Sequence, residues 1–303
     1  MKINKENNVF KPPFLLILKI AEFLKFRFIE FQKLMQATRY LGFSSPLIKF
    51  WTINLSTYVF IYPIAKILLG KEKSYNICDY FVKIPSPPGI FSFPKLMKSK
   101  IALRERNDWS VFIEICISDV YHKDTLKPGM NVVDVGANTG AYTTLAAEKI
   151  GETGKVIAVE PEQKNYQRLL ENVKINDFKN VILANTALSN HNGLEKLYIS
   201  RSSVCHSLLP REWENTWTQV STKTLDTLLE ELHLKKIDII KIDTEGTEIP
   251  ILRGAEKTLK DNPNVKIIVA SYHYPSEIKE VQDFLQKMGF KTKISSSNIV
   301  VTI

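Results

Sequence analysis

The chain has 303 residues, of which 44% are hydrophobic, so it is long and apolar enough to bury a complete core in one or two domains. Its three cysteines are odd in number, far apart and outside any C-x-x-C pattern, which excludes a disulfide framework and predicts a reducing compartment. The five histidines show no H-x-x-x-H or related spacing, so the sequence predicts no dedicated metal site.

The positive charge of the chain is concentrated near its N-terminus. The formal net charge is +9, and residues 1–75 hold 12 Lys or Arg against 4 Asp or Glu, whereas residues 76–303 are nearly neutral. A basic extension in front of a neutral domain indicates an anionic surface as its partner. Because the extension is also rich in aromatic and aliphatic residues, an anionic membrane is favoured and no nucleic acid partner is expected.

Two apolar segments lie within residues 1–75. From Lys11 to Leu34, apolar residues recur every three or four positions with charged residues opposite, which predicts an amphipathic helix. Residues 50–65 are uncharged but number only 16, fewer than the ~20 that a helix needs to cross a bilayer. These helices either lie in a membrane interface or cap the following domain and shape its acceptor site; a membrane span or a dimer contact is less favoured.

Residues 76–303 form the second predicted domain. Turn formers over residues 85–94 indicate a linker with short strands beside it, and an apolar-rich helix is predicted from Trp109 to Tyr121. Strand and helix patterns then alternate, which is typical of a mostly parallel sheet with helices on both faces. The predicted strands are 131–135, 155–160, 180–185, 195–200, 237–242, 265–271, 290–294 and 298–302; the predicted helices lie near 140–150, 162–176, 224–233, 250–261 and 276–288.

Two connections in this domain are distinctive. Only residues 295–297 separate the last two predicted strands, which are therefore expected to form an antiparallel hairpin at one edge of the sheet. Residues 201–220 have little periodicity and are predicted to be a long lid or binding loop. Its His206, Trp213 and Trp217 either contact an acceptor or simply pack beneath the loop.

The most informative motif is a glycine turn that follows the strand 131–135. Gly136 and Gly140 permit a tight turn and close approach of a ligand to the backbone, and the helix that begins before Tyr142 offers unpaired N–H groups. Twenty residues after Gly140, the next strand ends at Glu160, whose carboxylate can accept hydrogen bonds from both hydroxyls of a ribose. The pattern predicts a nucleotide-type cofactor site.

Asn138 decides which cofactor is favoured. A dinucleotide turn reads G-x-G-x-x-G and needs a glycine at this position so that a pyrophosphate can lie against the backbone. An amide side chain obstructs a pyrophosphate but can hydrogen-bond the amino-acid end of S-adenosylmethionine, which carries no phosphate. Methyl transfer therefore outranks hydride transfer.

An ordered series of motifs between about Arg104 and Ala270 resembles the FkbM-type S-adenosylmethionine-dependent methyltransferases. The resemblance implies a Rossmann-like class I methyltransferase, an α/β fold with a mostly parallel seven-stranded sheet, and methylation of a hydroxyl on a sugar or secondary metabolite. The motifs are Asp134–Gly140, Val159–Pro161, Asn172–Asn176, Ala187–Ser189, Thr224–Asp226 and Lys241–Gly246.

Further candidate residues end the predicted parallel strands, where ligands of open α/β sheets bind. Asp134, inside an apolar strand, is expected to hold the turn's N–H groups or the cofactor's ammonium. Thr186 and Ala187 are expected to flank the adenine through backbone contacts, an assignment that the resemblance supports.

The catalytic candidates follow the strand 237–242. Three carboxylates crowd residues 243–248, which is expected to raise at least one pKa and to suit a base that removes the acceptor's proton. Asp243 is the leading candidate, followed by Glu245 and His273. The alternatives are that these acids cap the turn and favour a helix dipole, that His273 is a solvated loop residue, or that Asp243, Glu245 and Glu248 hold Mg²⁺.

The sequence therefore predicts a methyltransferase that moves a methyl group from S-adenosylmethionine to a hydroxyl of a glycan, glycolipid or related metabolite. It is expected in the cytoplasm, with a peripheral membrane contact through residues 1–75. Two alternatives remain: a nicotinamide-dependent oxidoreductase, and a non-enzymatic membrane-associated adaptor that retains the fold.

Overall fold

The computed structural model describes residues 88–93, 97–210, 216–295 and 298–303. The two N-terminal apolar segments, the boundary between residues 75 and 76, and Trp213 lie outside these residues, so the expectations for them stay predictions. Within the described residues, no helix is both long and apolar enough to cross a membrane.

A seven-stranded sheet forms the centre of the described fold; its five inner strands are mostly buried, whereas the two edge strands are partly exposed. Five parallel strands, β3 (Asn131–Val135), β4 (Lys155–Val159), β5 (Val181–Ala184), β9 (Ile239–Ile242) and β10 (Lys266–Ala270), join the antiparallel pair β11 (Thr292–Ile294) and β12 (Ile299–Thr302). The order across the sheet is β5-β4-β3-β9-β10-β12-β11. This order confirms the predicted Rossmann-like sheet and its C-terminal antiparallel hairpin.

The helices of the sheet confirm the predicted alternation, with one exception. They are α1 (Arg106–Phe112), α2 (Ala141–Ile150), α3 (Gln163–Ile175), α4 (Leu225–Glu231), α5 (Glu248–Arg253), α6 (Glu256–Asp261) and α7 (Glu277–Lys287). The single helix predicted over 250–261 is instead two short helices that meet at Gly254. A Cβ atom on Gly254 would stand 2.1 Å from the carbonyl oxygen of Ser189. The helix is therefore interrupted at a position where its backbone lies against a neighbouring segment and only glycine fits.

Two other predictions about the elements were wrong in part. The helix expected from Trp109 to Tyr121 is α1 followed by a π-helical turn, Ile113–Ile117, and Asp119 then adopts a positive φ of 56°. The loop expected over 201–220 ends earlier, because Trp217–Lys223 is a strand, β8. Trp217 is exposed on that strand, with the Lys196 ammonium 4.3 Å from its ring centroid.

Strand β8 belongs to a separate three-stranded sheet. It pairs with β6 (Ala187–Leu188) and with β7 (Gly193–Tyr198), which corresponds to the strand predicted over 195–200. A two-stranded sheet, β1 (Gly89–Phe93) and β2 (Met97–Leu103), precedes α1. Strand β2 is attached to α3 through Asn172, whose Oδ1 accepts the N–H of Ala102 at 2.6 Å.

Candidate functional site

A cleft of about 550 Å³, including its open mouth, lies at the carboxyl ends of β3, β4 and β9. This location is the usual ligand site of an open α/β sheet. Seven of the predicted site residues line it: Gly136, Asn138, Glu160, Thr186, Ala187, Asp243 and Glu245. Asp134, Gly140, Tyr142 and His273 lie behind this lining.

The glycine turn packs closely against its surroundings. Gly136 has a φ of 73°, and a Cβ atom there would stand 1.9 Å from the carbonyl oxygen of Asp243. Gly140 has a φ of 90°, and a Cβ atom there would stand 2.6 Å from the Leu169 side chain. Both positions therefore require glycine for conformation and for space.

The side chain of Asn138 attaches a loop to the glycine turn. Its Nδ2 donates to the carbonyl oxygen of Ser203 at 3.0 Å, and its Oδ1 accepts the N–H of Thr139 at 2.8 Å. Asn165 donates to the same Ser203 oxygen at 2.8 Å. Both polar atoms of the Asn138 amide thus already have protein partners. The predicted contact of this amide with a cofactor stays a prediction and would have to share or replace one of these bonds.

Glu160 presents a fixed carboxylate to the cleft. Its Oε1 accepts the N–H of Glu162 and its Oε2 accepts the N–H of Asn138, both at 2.9 Å. Burial raises the pKa of Glu160 to about 7, although the two N–H groups act in the opposite direction. Because each carboxylate oxygen can accept two hydrogen bonds, both oxygens keep the capacity to accept from a ligand hydroxyl.

Asp134 is bound by two side chains rather than by the N–H groups of the turn, and its predicted contact with the ammonium group of a cofactor stays a prediction. Its Oδ1 lies 3.0 Å from Nζ of Lys241, and its Oδ2 accepts the Thr143 hydroxyl at 2.6 Å. Lys241 in turn donates to the carbonyl oxygen of Gly136 at 2.9 Å. Asp134 therefore supports the turn through Lys241, a role that the sequence analysis missed although a lysine inside an apolar strand signals a buried partner.

Tyr142 belongs to the core and does not line the cleft. It is fully buried, and its ring contacts that of Tyr121 edge to face, with centroids 5.8 Å apart. Burial raises the pKa of Tyr142 far above its usual range, so its hydroxyl stays protonated. Tyr142 thus packs behind the glycine turn.

Asp243 faces the cleft and is held from two sides. The hydroxyl of Tyr121 donates to its Oδ2 at 2.5 Å, and Nε2 of His273 lies 3.5 Å from its Oδ1. Burial alone would raise the pKa of Asp243, but His273 and the charge of Lys241 outweigh it and lower the pKa to about 2. Asp243 is therefore an ionised hydrogen-bond acceptor and a weak base.

The carboxyl group whose pKa rises is Glu248 and not Asp243. Glu248 is completely buried behind the cleft, and its burial, together with the nearby Glu277, raises its pKa to about 8. The prediction that crowding would raise a pKa in residues 243–248 thus applies to a residue outside the cleft lining. Glu245, by contrast, lines the cleft.

His273 is not a solvated loop residue. Its side chain is 5% exposed, and Nδ1 lies 3.1 Å from Oε2 of Glu277. Burial acts to lower the pKa of His273, but the carboxylates of Asp243, Glu277 and Glu248 outweigh it and raise the pKa to about 11. The imidazole is therefore protonated near neutral pH, and the suggestion that it acts as the base is not supported.

Thr186 and Ala187 line the cleft after β5, on the side of Glu160. The hydroxyl of Thr186 donates to the carbonyl oxygen of Ser221 at 2.9 Å, which ties this strand end to β8. The predicted backbone contacts of Thr186 and Ala187 with an adenine ring stay a prediction.

A loop that follows β7 covers one side of the cleft. Ser203, Val204, His206, Ser207 and Leu208 line the cleft from this loop. Beyond its bonds from Asn138 and Asn165, the loop is fastened by the Ser207 hydroxyl, which donates to the carbonyl oxygen of Glu245 at 2.9 Å. The predicted binding loop therefore lies over both the glycine turn and the end of β9.

The sequence profile of the methyltransferase FkbM domain matches residues 134–292, which span the glycine turn, the cleft and the strands that carry it. The chain belongs to the FkbM methyltransferase family. This membership establishes a methyltransferase and disfavours the nicotinamide-dependent oxidoreductase.

Several proteins are similar to this FkbM methyltransferase. Methyltransferase sdnD of Sordaria araneosa is 24% identical over 212 residues, which are 59% of this chain and 81% of that protein. Hexuronic acid methyltransferase AglP of Haloferax volcanii is 25% identical over 165 residues, 54% of this chain and 65% of that protein. The crystal structure of methyltransferase FkbM from Methylobacillus flagellatus is 11% identical with a TM-score of 0.43, covering 84% of this chain and 60% of that one.

Proposed function

We propose that this FkbM methyltransferase transfers a methyl group from S-adenosylmethionine to a hydroxyl group of a glycan, glycolipid or related metabolite. The observation that carries the donor assignment is the fixed carboxylate of Glu160 beside the glycine turn. Such a carboxylate can accept hydrogen bonds from the two ribose hydroxyls of an adenosine. Asn138 stands where a dinucleotide site needs a glycine so that the pyrophosphate can approach the backbone. A methyl donor with an adenosine but no phosphate is S-adenosylmethionine.

The acceptor side of the cleft supports transfer to a hydroxyl. In the proposed transfer, a bond would form between the acceptor oxygen and the methyl carbon while the bond from that carbon to the sulfonium sulfur breaks. The proton of the acceptor hydroxyl would pass to solvent at the open mouth of the cleft, and S-adenosylhomocysteine would be the leaving group. Because Asp243 stays ionised, it accepts a hydrogen bond from the acceptor hydroxyl and orients the oxygen lone pair toward the methyl group. Its low pKa makes this orienting role more effective than proton removal.

The surroundings of Asp243 support a sugar-like acceptor. Tyr272 is 44% exposed, and its ring stands 4.5 Å from that of His273, measured between centroids. An exposed aromatic face can pack against the C–H groups of a sugar ring, while Asp243 and Glu245 can accept hydrogen bonds from its hydroxyls. The similarity to a protein named hexuronic acid methyltransferase points to the same acceptor class.

Two experiments test the proposal, first a calorimetric titration and then a methyl-transfer assay. The full-length protein is titrated with S-adenosylhomocysteine and, separately, with NAD⁺; we expect binding of the first alone. It is then incubated with S-adenosylmethionine labelled in its methyl group and a panel of uronic acids, neutral glycosides and lipid-linked sugars. Label should appear as an alkali-stable methyl ether.

The variant Asp243→Asn separates chemistry from binding. It should lower kcat at least tenfold and leave the affinity for S-adenosylhomocysteine within twofold, because only the acceptor meets this carboxylate. Asp261→Asn, at an exposed ion pair with Lys257, is the matched control. Binding of S-adenosylhomocysteine without methyl transfer to any acceptor of the panel would support the non-enzymatic adaptor instead.

A further inference from the structure

A cluster of ionisable side chains extends from the cleft into the protein behind it, and the proposed methyl transfer does not use all of its members. Four carboxylates surround a single imidazole, and these side chains come from two segments of the chain, residues 243–248 and 273–277. The members are Asp243, Glu245, Glu248, His273 and Glu277. Glu248 and Glu277 are completely buried, and His273 nearly so.

The acidic side chains of this cluster outnumber its one basic side chain. Each of the four carboxyl groups has an oxygen within 3.1 to 3.9 Å of a nitrogen of the one imidazole ring. Carboxylates that crowd together in this way repel one another, and a bound cation is one way to relieve that repulsion.

In each of three members of the cluster, one polar side-chain atom contacts another protein group, and we ask what the second polar atom contacts. Oδ2 of Asp243 accepts the Tyr121 hydroxyl, and Oε1 of Glu248 accepts the N–H of Thr244 at 2.9 Å. Nδ1 of His273 lies 3.1 Å from Glu277. Within the described part of the chain, Nε2 of His273 and Oε2 of Glu248 are buried and make no well-formed hydrogen bond, although Nε2 faces Oδ1 of Asp243 at 3.5 Å and the Glu248 carboxyl group lies beside that of Glu277.

We propose that Asp243, Glu248 and His273 bind a divalent transition-metal ion such as Mn²⁺ or Zn²⁺. One ligand atom of each lies within 4.8 Å of the others. Nε2 of His273 is 3.5 Å from Oδ1 of Asp243, and Oε1 of Glu248 is 3.5 Å from Nδ1 of the same ring. Two ligands that are each about 2.1 Å from one metal ion lie roughly 3 to 3.5 Å apart.

The ligand set also indicates the class of metal. One imidazole nitrogen with two carboxylate oxygens suits Mn²⁺, Fe²⁺ or Zn²⁺ better than Mg²⁺ or Ca²⁺, which prefer oxygen alone. Glu277 fixes the ring orientation through Nδ1, as carboxylates do for metal-binding histidines. The ion would take the place of the proton that the same carboxylates otherwise hold on Nε2.

Three ligands leave coordination positions open, and Asp243 lines the cleft. The open positions would therefore be reached from the acceptor side. The metal site requires neither S-adenosylmethionine nor an acceptor to bind its ion, so it can be tested apart from the proposed function.

The experiment measures metal binding to the full-length protein after treatment with a chelator. Calorimetric titration with Mn²⁺ and with Zn²⁺ should show one equivalent per chain for at least one of them. His273→Gln and Glu248→Gln should each lower that affinity tenfold or more. Glu256→Gln, at an exposed carboxylate, should leave it unchanged. Circular dichroism of each variant checks that it is folded.

A measurement on the unaltered protein covers the case in which a variant does not fold. Electron spin echo modulation of bound Mn²⁺ should show coupling to a ¹⁴N nucleus, which requires an imidazole ligand. Absence of binding for both metals, affinity that is equal in the His273 variant and the control, or bound Mn²⁺ without ¹⁴N coupling would overturn the proposal.

Discussion

The carbonyl oxygen of Asp243 occupies the space in which a side chain on Gly136 would have to stand, 1.9 Å from the ideal Cβ position. The glycine turn after β3 and the end of β9 are thus in backbone contact. The two sides of the cleft that we propose for the donor and the acceptor are therefore positioned relative to one another without an intervening side chain.

Gly136→Ala should destabilise the protein by ~3 kcal/mol or more, because the new methyl group must force these two segments apart. Gly129→Ala is the matched control, since its φ of 79° is close to the 73° of Gly136 but its nearest neighbour is 3.6 Å away. We expect a loss of only about 1 kcal/mol for the control. Urea denaturation measures both, and equal losses would show that backbone strain alone matters.

The pKa of Glu160 predicts how cofactor affinity depends on pH. Ribose hydroxyls bind to the carboxylate form, and with a pKa of about 7 that form is a minority at pH 6 and the majority at pH 8. The affinity for S-adenosylhomocysteine should therefore rise about tenfold from pH 6 to pH 8. In Glu160→Gln the affinity should fall by ~1–3 kcal/mol at pH 8 and lose this dependence. Calorimetry at both pH values tests the assignment, and a Glu160→Gln variant with unaltered affinity would refute it.

Asn138→Ala should loosen the loop that covers the cleft. The amide hydrogen bond to Ser203 is lost, whereas the one from Asn165 remains, so the loop should exchange faster without unfolding. Hydrogen exchange followed by mass spectrometry over residues 200–208 measures this change. Asn185→Ala is the control, because that amide donates to Glu160 and Pro161 and not to the loop. Unchanged exchange in Asn138→Ala would show that the bond does not hold the loop.

The ion pair of Asp134 and Lys241 should be strongly coupled. Lys241→Met leaves a buried carboxylate without its cation and should lower the free energy of unfolding by ~3–5 kcal/mol. Adding Asp134→Asn should recover part of this loss, since the uncompensated charge is then removed. Lys236→Met, which breaks an exposed pair with Asp238, should cost no more than ~1 kcal/mol. Strict additivity in the double-mutant cycle would contradict the pairing.

The sequence predicts the strands of the main sheet well because each is a short apolar run between turn residues, a signal that is local. It also places Gly136, Glu160 and Asp243 in one cleft, because parallel strands end at the same edge. The role of each polar side chain at the cleft, however, depends on contacts with residues that are distant in the sequence. Asp134 meets Lys241 and Asn138 meets Ser203 across gaps of 107 and 65 residues, respectively, and neither pair leaves a periodic pattern.

His273 is a second example of a role that sequence spacing does not predict. A search for metal ligands by spacing passes over His273, because its partners Asp243 and Glu248 follow a different strand. The pKa values could not be predicted for a related reason. Asp243 and Glu248 are both acids of one short segment, and burial acts to raise the pKa of each. His273, Lys241 and Tyr121 outweigh burial at Asp243, whereas burial and the neighbouring Glu277 prevail at Glu248.

The three-stranded sheet that carries the covering loop shares no strand pairing with the seven-stranded sheet in the described residues. If the cleft binds donor and acceptor as proposed, insertions or exchanges in the segment between β7 and β8 should change which acceptor fits without shifting the register of the seven-stranded sheet. A library that varies residues 204–206 and 208–210, and keeps the attachment points Ser203 and Ser207, offers a route to new acceptor preferences.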